Sequence, residues 1–358
     1  MSWLEPADSG YALRFAVLDG RAWSAPRTIR KGRDFIVNWA DFASMEVLEG
    51  GRLAAHWLQR LGAGTYAYGV KVSQSTDGGR TWSMPVSPHR DSSASEHGFV
   101  TLWRERNQLG AAWLDGRKLK PQADAAPMAH EPSNNEMMLV STTLDARGRL
   151  GAEVVLDDRT CDCCQNSAAM TSNGPIVAYR NRSPEEIRDI YVTRRVNGKW
   201  TAGRAVHDDA WKIAACPVNG PSVDARGKRV AVAWFTAAND SPVVKLAFSS
   251  DAGASFTVPI RIDQGQPAGR VDVALLKDGG AVVTWIERTG GDTAAVRARR
   301  VSSDGRTGAP ITIATSSAAR ASGFPRMALA GTNVVFAWTV PGRPSALRVA
   351  LAPLADLR

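Results

Sequence analysis

Short apolar runs of four to eight residues, rich in Val, Ala, Ile and Trp, alternate along the chain with clusters of Gly, Asp, Asn and Pro. This punctuation predicts strands and hairpins, and no long stretch carries the 3.6-residue period of an amphipathic helix. One run recurs. A small or apolar stretch ending in an aromatic appears as AAHW at Trp57, AAWL at Trp113, VAYR at Tyr179, VAWF at Trp234, VTWI at Trp285 and FAWT at Trp338, at steps of 56, 66, 55, 51 and 53 residues. A second series of turns interleaves with it, at Asp19, Asp77, Asp145, Asn197, Asp251 and Asp304. Self-similarity at this period marks stacked supersecondary units. Six units of four short strands predict an all-β fold, a six-bladed β-propeller with four-stranded blades. Trp338 has no Asp turn after it and Asp19 no aromatic run before it, so the N- and C-terminal strands are expected to share one blade and close the ring. ALRFAVLDG near Leu13 and ALRVALAPL near Leu347 compete for the third strand of that blade.

The period also sets the domain organisation: residues 1–358 read as one propeller domain, where length alone would suggest two. Lys and Arg number 44 against 35 Asp and Glu, a net charge of +9 spread as isolated residues. With no basic stripe interleaved with aromatics, this is a solvated basic surface rather than a nucleic-acid interface, and it remains compatible with an acidic ligand. No run of 18 apolar residues occurs, so no membrane-spanning helix is expected.

Ser75-Thr76-Asp77-Gly78-Gly79-Arg80-Thr81-Trp82 resembles the SxDxGxTW Asp-box of sialidase-type (BNR-repeat) propellers, and Ser249 to Phe256 resembles a second with Phe in place of Trp. The turn at Asp304 is a degenerate third. The resemblance covers essentially the whole chain and implies a sialidase-like propeller, but fold does not carry activity with it. The arginine-bearing F/Y-R-I-P motif of the family is not found in the first blade, and no Tyr follows Tyr191 to serve as the late catalytic tyrosine. Without that nucleophile the covalent step of a retaining sialidase is disfavoured. The opening MSWLEPADSG has no basic and apolar leader, which fits a cytosolic protein or an exported one without its leader; the resemblance favours a periplasmic or secreted location.

In a propeller the segments entering each blade and the hairpins between second and third strands share one face, and the Asp turns sit on the other. All four cysteines, Cys161, Cys163, Cys164 and Cys216, fall in the entering segments of two successive blades. Three chemistries compete for them. A disulfide staple would use Cys216 and one member of Cys-Asp-Cys-Cys, since neighbouring cysteines pair only with strain. A thiophilic site would hold Cu(I) or Zn, with His97 on the preceding blade as a further ligand. A redox pair would draw on nearby arginines to lower a thiol pKa. The segment from Met128 to Met138 adds His130, Met128, Met137 and Met138 on the same face.

The hairpin RNRSPEEIRD alternates in sign, the pattern of a solvated and self-paired loop. Its position on the mouth face keeps a second role open: Arg180, Arg182 and Arg188, with Arg270 and Arg326, would grip an acidic ligand. Asp41, Glu96 and Asp115 are the candidate catalytic carboxylates, two being the minimum for ordinary glycoside hydrolysis. The sequence therefore supports three functions. The first is a propeller that holds a soft metal ion for sequestration or delivery. The second is a carbohydrate-directed enzyme or glycan-binding protein. The third is an interaction platform with neither metal nor turnover.

Overall fold

The computed structural model describes residues 1–119 and 136–357. His130 and Met128 lie outside the described residues. The chain forms two compact units, residues 1–162 and 163–358. Both are built from antiparallel sheets, each made from one contiguous stretch of chain.

Among the described residues the first unit holds three sheets of three or four strands and one two-stranded hairpin, Leu18–Asp19 with Ala22–Trp23. The first sheet pairs Ser2–Ala7, Gly10–Phe15 and Arg27–Gly32, the second Ser44–Val47, Leu53–Arg60 and Tyr68–Ser75. The third runs through His97–Glu105, Gln108–Asp115, Met137–Leu144 and Val154–Thr160. In the second unit the fourth sheet comprises Ser167–Thr171, Gly174–Arg180, Ile190–Val196 and Lys199–Trp200, with Arg204–Ala205 also on Ile190–Val196. The fifth comprises Ser222–Arg226, Arg229–Thr236, Val243–Ser249 and Ile260–Arg261, and the sixth Gln266–Leu275, Ala281–Gly290, Thr293–Val301 and Ile311–Ser317. The seventh pairs Arg326–Ala330, Asn333–Val340 and Ala346–Pro353.

Seven such sheets, not six, are therefore present among the described residues, and three of them have three strands rather than four. The six repeat aromatics each occupy the second strand of the second to seventh sheets. The uncounted sheet is the first, whose central strand Gly10–Phe15 ends its small and apolar run in Phe15 rather than in Trp or Tyr. ALRFAV and ALRVAL thus belong to different sheets. The terminal strands do not share a blade: Ser2–Ala7 pairs with Gly10–Phe15, and Ala346–Pro353 with Asn333–Val340.

Within each unit, alternation along the strands places one apolar row against a neighbouring sheet. Leu13, Phe15 and Ile29 pack with Leu53, Ala55 and Trp57 between the first two sheets, and Trp234 with Ile176 and Val192 between the fourth and fifth. A buried indole must also satisfy its N–H. Trp113 Nε1 donates to Asp115 Oδ2 at 2.9 Å and Trp285 Nε1 to Glu287 Oε2 at 2.5 Å, in each case an acid two residues on, which strand geometry returns to the same face.

The turns at Asp145, Asn197, Asp251 and Asp304 join third to fourth strands, whereas the Asp77 turn follows the last strand of the three-stranded second sheet and Asp19 lies between the second and third strands of the first. Ser75 Oγ and Thr81 Oγ1 donate to the Asp77 carboxylate at 2.8 and 2.7 Å, and the Thr81 N–H adds 3.0 Å. These donors hold Asp77 well below the usual carboxylate range. Gly79, at φ +83°, is required twice, because a Cβ there would also lie 2.3 Å from Phe15 Cζ.

Candidate functional site

The cysteines lie where the chain enters a sheet. Cys161 to Cys164 link the last strand of the third sheet to the first strand of the fourth, and Cys216 precedes the first strand of the fifth. Cys161 and Cys164 are buried, Cys163 and Cys216 half-buried, and all four are thiols in this structure. The sulfurs of Cys161, Cys163 and Cys164 lie within 4.8 Å of one another. A second group, within the same limit, joins Cys163 to Cys216 and to a carboxylate oxygen of Asp162. Cys163 belongs to both.

Local sequence explains how a residue more than fifty positions away reaches this segment. Gly220 packs so closely that a Cβ there would lie 2.0 Å from the Gln165 carbonyl oxygen, and its N–H donates to Gln165 Oε1 at 3.1 Å. One residue earlier, Asn219 is tied on both sides. Its carbonyl accepts Arg180 Nε at 3.0 Å and Nη2 at 2.7 Å, and its Oδ1 accepts the Arg270 N–H at 2.7 Å. The segment bearing Cys216 is thus anchored from the fourth sheet and from the sixth.

That anchoring engages Arg180 and Arg270, two of the five arginines expected to grip a ligand. Arg180 is buried, stacks its guanidinium 4.8 Å from the Trp211 ring centroid, and donates further to the carbonyls of Arg188 and Phe235. Arg270 donates to Ser322 Oγ at 2.6 Å and to the carbonyls of Ala319 and Gly323; burial, with Arg288 and Arg320 nearby, pushes it down to about 10. Arg182 and Arg188 both close on Glu186, at 2.7 and 2.8 Å. This is the self-paired loop that its alternating signs suggest. Arg326 faces Asp272 at 3.5 Å and is half exposed.

The three carboxylates differ in state. Asp115 is buried, which opposes ionisation, but Arg117 holds it with Nε at 2.7 Å and Nη2 at 2.5 Å and keeps it below its ordinary range. Asp41 is also buried, and its Oδ1 accepts the Phe99 N–H at 2.8 Å; burial pushes it up to about 7, against the lowering effect of that bond and of the Tyr68 hydroxyl. Glu96 accepts the Tyr68 hydroxyl at 2.5 Å, and burial raises it to about 8, with Asp41 and Asp162 adding repulsion. The Tyr68 hydroxyl is raised well above its usual value by burial and by the charges of Glu96 and Asp41. Asp41, Tyr68 and Glu96 form one buried polar cluster in the first unit.

No protein-family profile matches this sequence, and no curated protein matches it. Solved structures do. A protein of unknown function from Dyadobacter fermentans superposes with a TM-score of 0.54 at 15% identity, over 89% of this chain and 96% of that one. The NanB sialidase of Streptococcus pneumoniae gives 0.53 at 10% identity, over 88% of this chain and 68% of that one. Trypanosoma rangeli sialidase, solved with the inhibitor DANA, gives 0.54 at 13% identity, over 91% of this chain and 56% of that one. The fold is a sialidase-type β-propeller. At these identities the likeness extends to the fold alone.

In this propeller His97 joins neither cysteine group. Its Nδ1 meets the Ser95 carbonyl at 3.0 Å, its Nε2 faces Asp91 Oδ2 at 3.2 Å and Asp115 Oδ1 at 3.6 Å, and its ring stacks on His89 at 4.0 Å. Met137 and Met138 are buried at the start of a strand. Three residues were not foreseen. Asp162 was in view within Cys-Asp-Cys-Cys, whereas His89 and Tyr68 are single residues that only the folded chain brings to His97 and Glu96. No helix is long and apolar enough to cross a membrane among the described residues.

Proposed function

We propose that this propeller holds a soft metal ion, Cu(I) or Zn, on Cys161, Cys163, Cys164 and Cys216, for sequestration or delivery outside the cytoplasm. The observation that carries the reading is the gathering of four thiols, from positions 161–164 and 216, about Cys163. Thiolates select Cu(I) and Zn over harder ions, and a half-buried thiol leaves the route by which an ion could be loaded or passed on. Binding would release thiol protons, so affinity should rise with pH. His97 is not part of the ligand set in this reading, because its ring nitrogens already face Ser95, Asp91 and Asp115. The test is metal analysis of protein purified under reducing conditions, with and without added Cu(I). At least one equivalent, lost in Cys163→Ser and Cys164→Ser, is the expected result. Less than one equivalent, unchanged by either substitution, would remove the proposal.

A second reading has its own observation. Asp41 and Glu96 flank the Tyr68 hydroxyl with both carboxyls raised toward neutrality, which is the tuning a general acid or base requires. Taken with the sialidase fold, this supports a carbohydrate-directed protein, enzyme or lectin. Turnover on a glycan panel that survives Cys163→Ser and is abolished by Glu96→Gln would favour it over metal binding.

A further inference from the structure

The four sulfurs do not form one group. They fall into two overlapping groups, Cys161, Cys163 and Cys164 in one, Cys163 and Cys216 with Asp162 in the other, and only Cys163 is common. A single tetrahedral zinc site made of four thiolates needs every sulfur at about 2.3 Å from one point, and so about 3.8 Å from each other. Here Cys216 does not share a 4.8 Å group with both Cys161 and Cys164. Three sulfurs around one ion, and two around another, are instead the low coordination numbers that Cu(I) accepts.

We infer that the site is binuclear, holding two Cu(I) ions with the Cys163 thiolate bridging them. One ion takes Cys161, Cys163 and Cys164; the other takes Cys163 and Cys216. The inference rests on the proposed metal-binding reading and deepens it. Each thiol loses its proton on binding, so four thiolates and two monovalent cations leave a net charge of −2, and one sulfur carries both bonds. Asp162 supplies only a hard oxygen, which Cu(I) does not favour, and stays outside the coordination sphere. Cys216 is the ligand that decides nuclearity, and its position depends on the close approach of Gly220 to Gln165.

The test is anaerobic titration of the reduced full chain with Cu(I), buffered by bicinchoninate, with bound ions counted by native mass spectrometry and the copper environment read by X-ray absorption. The wild type is expected to bind two ions with a short Cu–Cu vector, Cys216→Ser and Cys216→Ala one ion without that vector, and Asp162→Asn two. Thermal melts of the apo proteins verify that the variants fold. A single ion in the wild type, no Cu–Cu vector, or loss of an ion in Asp162→Asn would overturn the binuclear site while leaving metal binding intact. No bound ion at all would overturn both readings together.

Discussion

Asp41→Asn probes the cluster of Asp41, Tyr68 and Glu96 most directly. The carboxyl is 2% exposed, and burial raises it from 3.8 to about 7. A raised acid contributes its full stability below its unfolded pKa and loses it as pH climbs to the folded one, because between the two only the native state binds the proton. From 3.8 to about 7 is roughly three pH units, which at 1.36 kcal/mol each gives an upper bound of about 4 kcal/mol lost between acid and neutral pH. Asparagine mimics the protonated acid, since its carbonyl can accept the Phe99 N–H and its amide replaces the acidic O–H. The variant should therefore fall within about 1 kcal/mol of wild type at pH 4.5. At pH 8 it should be the more stable by about 2–4 kcal/mol. Removing the Asp41 charge also relieves Glu96, one of whose raising causes is Asp41, and this acts in the same direction. Urea unfolding of both proteins at the two pH values measures the difference. An Asn-minus-wild-type difference that does not change with pH would refute the assignment of a buried, protonated Asp41.

Arg117→Ala leaves the Asp115 carboxylate buried without its two guanidinium bonds and should cost about 3 kcal/mol, read by thermal or urea unfolding at neutral pH, with partial recovery in Arg117→Ala/Asp115→Asn. Gly79→Ala meets both a positive φ and the Phe15 ring, so it should lower stability by about 1–3 kcal/mol, whereas the neighbouring Gly78, with open space around it, pays the φ cost alone. Arg180→Lys keeps the charge but loses the planar fork that ties Asn219, Arg188 and Phe235 together; it should cost about 2 kcal/mol or more in unfolding experiments and lower metal occupancy at Cys216. Gly220→Ala, clashing with the Gln165 backbone, should displace the same segment and reduce bound metal with little effect on the sulfurs of Cys161 and Cys164.

Local pattern determined a good deal of this protein. The repeated aromatic lands on the second strand of every sheet from the second to the seventh, because a run of small residues closed by a large ring is the same packing problem solved each time between neighbouring sheets. The turn at Asp77 forms where it does because Ser, Asp, Gly and Thr at fixed offsets make their own local hydrogen bonds. The cysteines are legible as entering segments for the same reason. Blade number was not legible, since Phe15 fills the packing role of a Trp or Tyr while breaking the pattern used to count. Site chemistry was legible least. An arginine reads alike in a sequence whether it meets a ligand or the carbonyls of Asn219, and only the tertiary fold aims it. A carboxylate's proton affinity depends on the depth of its burial and the partners it finds there. Asp41 and Asp115 are the same residue type, and packing alone leaves one near neutrality and the other held as an anion by Arg117.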